Sequence, residues 1–128
     1  MRDVFIDHVT VTVRDLAASR SFYEAALAPW GSRVVEYEPG VIAFGPEGSE
    51  DLALHEGEPT RPIHIAFAAP DRRTVDRFHE AALAAGGRDN GGPGERPHYH
   101  PGYYAAYVLD PDGNNVEAVF HGTGEGGG

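Results

Sequence analysis

The 128-residue chain is one domain's length, enough to bury roughly 70% of the surface its unfolded form exposes, and its 41% hydrophobic and 23% charged content rules out a disordered or fibrous protein. Ten basic residues, all of them Arg, stand against twenty acidic ones for a net charge of -10, so neither nucleic acid nor an anionic membrane is expected as a partner. The absence of Cys removes disulfides, thiolate ligands and a Cys nucleophile, leaving His, carboxylate or other oxygen ligands for any metal.

The opening MRDVFIDHVTV lacks the long apolar core of a signal peptide, and no apolar run approaches eighteen residues, so a cytoplasmic protein is the expectation. Val9, Val11 and Val13 alternate with His8, Thr10 and Thr12, which predicts a half-buried first strand with one apolar and one polar face. Asp15 is placed to cap the helix that follows, whose stripe is Leu16, Phe22, Tyr23, Ala26 and Leu27, and Gly31 stops it. Trp30 is expected to pack near that helix end. Short strands follow at residues 33–37, 41–44 and 51–55, separated by turns at Pro39-Gly40 and around Pro46 to Gly48.

The chain then repeats itself. His8, Asp15, Phe22, Leu27 and Gly31 recur as His64, Asp71, Phe78, Leu83 and Gly87, each 56 positions on without a gap. EAAL also recurs, at Glu24 and Glu80, although an Ala-rich helix produces such a match by composition alone. The second strand carries Ile65, Phe67 and Ala69 on its bulky face and His64, Ala66 and Ala68 on the other, and its helix has the stripe Val75, Phe78, Ala82 and Leu83 before Gly86-Gly87. Residues 88–102, dense in Gly, Pro and His, read as either a short strand or a loop over a site. Two strands at 103–109 and 115–121, joined by the turn Asp110-Pro111-Asp112-Gly113, close the module, and the final GTGEGGG reads as a mobile tail.

If the bulky strand faces pack on the helices, the histidine faces line a concave surface. Glu117 alternates with Val116 and Ala118 on the last strand, and a carboxylate buried there without a partner would cost several kcal/mol, which a cation relieves. One histidine on a strand is usually just a hydrogen-bonded or half-exposed residue. Two at equivalent repeat positions, with a Glu on the closing strand, point instead to a facial site for Fe(II), Mn, Ni or Zn with open positions for water or substrate.

DHVTVTVRDLAASRSFYEAAL, HIAFAAPD and YVLDPDGNNVEAVFH together resemble the vicinal oxygen chelate superfamily, which includes glyoxalase I, extradiol dioxygenases, fosfomycin-resistance transferases and bleomycin-binding proteins. The resemblance runs from Ile6 to His121. It implies an α+β fold of two tandem β-α-β-β-β modules, about 5–57 and 62–121, forming a cupped mixed sheet around a central cavity with the helices outside and residues 122–128 as tail. It further implies a homodimer, and His8, His64 and Glu117 as ligands of a divalent metal. A fourth ligand position falls on EDLALHEG, with His55 as candidate and Asp51 in reserve, because a one-residue slip reverses the face. The chain departs from fosfomycin transferases in having no Lys.

The segment RPHYHPGYY adds His98, His100 and Tyr104 as candidates for proton handling, with Tyr103 and Tyr107 as an aromatic wall; a polar loop packed over the sheet is the competing reading. The reading is a metal-dependent lyase, isomerase or dioxygenase acting on a small oxygenated or aromatic metabolite. The alternatives are a metal-free drug- or metabolite-binding protein of the bleomycin-binding type and a dimeric interaction module with a vestigial cavity.

Overall fold

The computed structural model describes residues 6–59 and 62–122. β1 (Val9–Val13) leads into α1 (Leu16–Leu27), a 3-10 turn (Ala28–Trp30), β2 (Arg33–Glu38), β3 (Val41–Gly45) and β4 (Leu52–Glu56). The second module runs β5 (His64–Ala68), α2 (Arg72–Ala84), the two-residue strands β6 (Arg88–Asp89) and β7 (Gly94–Glu95), β8 (Tyr103–Leu109) and β9 (Asn115–His121). The stretch read as strand or loop is therefore both: β6 and β7 pair with β8, and residues 96–102 connect them to it. The expected tail lies, apart from Gly122, outside the described residues.

Both helices start where a carboxylate meets their free N–H groups. Asp15 accepts from the Ala18 N–H at 3.1 Å and Asp71 from the Thr74 N–H at 2.8 Å. Gly31 ends the first helical segment in a left-handed conformation, φ 76°. After α2 that role falls to Gly86, φ 100°, whereas its neighbour Gly87 serves close packing: a Cβ there would stand 2.5 Å from Val108 Cγ1 and 2.6 Å from Phe22 Cε1.

The strands form two mixed sheets, ordered β1-β4-β3-β2 and β5-β9-β8-β6, with β7 also beside β8. β1 runs parallel to β4 and β5 to β9, and the remaining neighbours are antiparallel. The fold is α+β, with two tandem modules as expected: the first is β-α-β-β-β, the second carries one more two-residue strand after its helix, and the cupped surface is divided between two sheets that do not close into one.

Alternation decides what each sheet buries. Val11, Val13, Ile42, Phe44, Leu52 and Leu54 point to the helix side and are buried, while Thr10, Ala43 and Ala53 share the other face. α1 rests on β3 and β4, α2 on β8 and β9, and the helices pack on one another, so Phe22 and Phe78, repeat partners, enter one continuous core. Burying a side chain of that size contributes about 1.5–3 kcal/mol before the entropy of ordering it is counted. Hydrogen bonds between the modules include those from Tyr23 to Asp110 Oδ2 at 2.6 Å, from Trp30 Nε1 to the Ala68 carbonyl at 2.7 Å and from the Arg14 N–H to Asp112 Oδ2 at 3.3 Å. Because both apolar faces turn to the helices, the two polar faces look away from the shared core. Among the described residues no helix is long and apolar enough to cross a membrane.

Candidate functional site

The polar face of the second sheet brings two of the sequence-predicted ligands together. β5 and β9 pair with Ala66 opposite Glu117, which sets His64 one diagonal step away on the same face. His64 Nε2 lies 2.7 Å from Glu117 Oε1, and the other carboxylate oxygen accepts from the Tyr103 hydroxyl at 2.5 Å. Glu117 is 1% exposed, so these partners stand in for water around its charge.

His8 lies elsewhere, on the polar face of the first sheet, with its Nδ1 2.9 Å from Asp7 Oδ1. It lines a cavity of about 390 Å³ together with Thr10, Ala43, Ser49, Asp51 and Ala53, a lining that includes neither His64 nor Glu117. Among the described residues no three His, Asp or Glu side chains converge to hold a metal. His8 and the His64–Glu117 pair thus stand on separate polar faces, because each sheet presents its own outward from the common core.

Strand register also identifies the first module's counterpart of Glu117. Thr10 pairs with Ala53 as Ala66 pairs with Glu117, and Thr10 and Ala66 are repeat partners. The position is therefore Ala53, a methyl group where the second module has a carboxylate. Asp51 lines the cavity beside His8, while His55 pairs with Thr12 further along the strand and is exposed. Four residues of strand separate His55 from Asp51, about 13 Å at the usual rise.

The aromatic segment divides by face. Tyr107 pairs with Glu117 and Tyr103 with His121, so both tyrosines share the Glu117 face. Tyr104 points to the helix side, where its hydroxyl donates to Asp76 Oδ1 at 2.6 Å under the Arg72 guanidinium. Burial, then that hydrogen bond, pushes its phenol up to about 12. Burial and then the hydrogen bond and charge of Glu117 push Tyr103 well above the ordinary phenol value, and burial followed by the Glu117 charge raises Tyr107, so both stay protonated at neutral pH.

The His98 ring lies tilted against Tyr99, with centroids 4.3 Å apart, and Tyr99 lies against Tyr103 at 4.7 Å. His100 is held on both ring nitrogens: Nδ1 donates to the Pro101 carbonyl at 2.7 Å, and Nε2 lies 2.9 Å from His121 Nδ1. His98 and His100 thus stand at the aromatic end of the Glu117 face without touching the carboxylate. Sequence reasoning missed Tyr103 as its direct partner and His121 as the partner of His100. The hairpin turn at 110–113 held part of the signal, since counting outward from it pairs Tyr103 with His121 on the Glu117 face.

Residues 5–118 match the model of the Glyoxalase/Bleomycin resistance protein/Dioxygenase superfamily. No curated protein matches the chain. Among solved structures, a glyoxalase/bleomycin resistance protein from Albidiferax ferrireducens T118 is 30% identical, with a TM-score of 0.77 over 89% of this chain and 96% of that one. A glyoxalase-related enzyme from Fulvimarina pelagi is 25% identical, with a TM-score of 0.70 over 94% and 88% of the two chains. A glyoxalase/bleomycin resistance protein/dioxygenase family enzyme from Burkholderia phytofirmans PsJN, at 21% identity and a TM-score of 0.71 over 92% and 99%, shares the fold.

Proposed function

We propose, from the premise that this chain belongs to the Glyoxalase/Bleomycin resistance protein/Dioxygenase superfamily, that it is a metal-dependent enzyme acting on a small oxygenated or aromatic metabolite. The observation that carries this reading is the His64–Glu117 pair, 2.7 Å apart with the carboxylate 1% exposed. That separation approaches the spacing of two adjacent ligands on one divalent ion, each about 2.0–2.2 Å from it. Imidazole and carboxylate donors suit Fe, Mn, Ni or Zn.

His64 and Glu117 would hold the ion, with His8 of a second copy of the chain as third ligand, because one chain keeps His8 on its other sheet. The bound ion would supply Lewis acidity toward paired substrate oxygens. The chain's own residues do the rest. Thr10, Ala43 and Ala53 keep the His8 cavity roomy, so an aromatic-sized metabolite fits within about 390 Å³. Tyr107 walls the Glu117 side. Proton handling is assigned to His98 and His100 at the aromatic end of that face, whereas Tyr104 serves the α2 contact.

A second reading has its own support: both Glu117 oxygens already have hydrogen-bond partners without any cation. Under that reading the protein binds a drug or metabolite without transforming it.

Metal content by mass spectrometry on anaerobically purified protein separates the two. Wild type should carry about one equivalent per chain, lost in His8→Ala and in Glu117→Ala. Mixing those two variants should restore up to one metal per mixed dimer, since one composite site is then intact. A wild type that takes up no metal after reconstitution overturns the enzyme reading, and failed complementation overturns the composite site.

A further inference from the structure

The Glu117 carboxylate is held by a residue that the metal-site reading does not require. Tyr103 stands on β8 opposite His121, four residues from Glu117 along β9, about 13 Å at the usual strand rise. Its hydroxyl nonetheless reaches Glu117 Oε2 at 2.5 Å. The side chain must therefore lie along the sheet, across the row occupied by the paired residues Ala105 and Val119, which are 0% and 5% exposed. A larger residue at 105 would lift the phenol away from the carboxylate.

The ring is also fixed from its flanks. Tyr99 lies against it at 4.7 Å between centroids, and the His100 and His121 rings meet it edge to face at 5.4 and 5.2 Å. These contacts hold the hydroxyl in one place, and ring and hydroxyl together shut one side of the carboxylate from solvent.

We infer that Tyr103 is the positioning residue for Glu117: by occupying Oε2 it leaves Oε1 as the single oxygen offered toward His64. The inference rests on the reading that these two residues hold a cation, and it makes the carboxylate a one-oxygen ligand. Released from Tyr103, Glu117 can turn and bind through both oxygens, taking a coordination position that a substrate oxygen needs.

Cobalt(II) titration followed by visible absorption tests this, because cobalt absorbs less intensely as its coordination number rises. Against wild type, Tyr103→Phe, which keeps the ring, should bind cobalt with weaker visible bands, the mark of a carboxylate bound through both oxygens. Tyr104→Phe, altered on the opposite face, should match wild type. A Tyr103→Phe protein with the wild-type spectrum overturns the inference. If wild type binds no cobalt, the cation reading fails separately, and carbodiimide labelling of Glu117 in metal-free protein, read by peptide mass spectrometry, decides the role of Tyr103. Labelling several-fold faster in Tyr103→Phe supports positioning, and equal rates overturn it.

Discussion

Replacing Tyr23 with Phe isolates one hydrogen bond between the modules. Tyr23 is 1% exposed and donates to Asp110 Oδ2 at 2.6 Å. The Phe ring would keep the edge-on contact with Phe22, centroids 4.8 Å apart, and the packing on Phe44, so no cavity of consequence opens. Nor is Asp110 left without partners: Oδ2 still accepts from Asn114 Nδ2 at 2.9 Å, and Oδ1 from the backbone N–H groups of Asp112 and Asn114 at 2.9 and 2.8 Å. The loss should be that of one hydrogen bond to a charged acceptor, about 1.5–3 kcal/mol. For a chain of this length that lowers Tm by on the order of 5–12 °C. Urea unfolding should show a lower midpoint at unchanged slope, as expected when stability changes without a change in exposed surface. The bond also has a pH signature. Burial, then the charge of Asp110, raises the Tyr23 phenol well above its unfolded value near 10, so its contribution is complete below that pH and is lost as pH rises through the folded value. Tyr23→Phe should flatten the alkaline decline. A destabilisation under about 0.5 kcal/mol would falsify the claim that this bond fastens the modules, leaving Asp110 held by its turn alone.

Two further outcomes follow from register and packing. Ala53→Glu, which restores a carboxylate at the repeat position of Glu117, should tighten metal binding in a titration against wild type; unchanged affinity would mean that Ala53 does not face the composite site. Gly87→Ala forces a methyl group to within 2.6 Å of Phe22 and Val108 atoms and should cost about 1–3 kcal/mol in urea unfolding, whereas Gly86→Ala tests the left-handed backbone instead.

Much of the architecture was legible in local pattern. Alternation marked β1 and β5, Asp15 and Asp71 announced the helix starts, and the repeat paired His8 with His64, because side-chain period and capping chemistry are set by neighbours in the chain. Gly87 was legible as a glycine that matters but not for its reason: the helix stop is Gly86, and Gly87 is small because Phe22 of the other module approaches it.

The site divides along the same line. That His8, His64 and Glu117 sit on polar strand faces was determined by sequence alone, since alternation assigns a face without reference to any partner. Which of them meet was decided by tertiary structure: the helices pack on each other, turn the two polar faces outward, and leave His64 with Glu117 while His8 lines a different cavity. Register decided the rest, putting Ala53 where Asp51 or His55 was expected, turning Tyr104, a candidate for proton handling, to the helix side and leaving Tyr103 on the carboxylate. Shifting a strand by one residue exchanges its faces at almost no local cost, so only the partner strand and the core beneath it specify which side chain reaches the site.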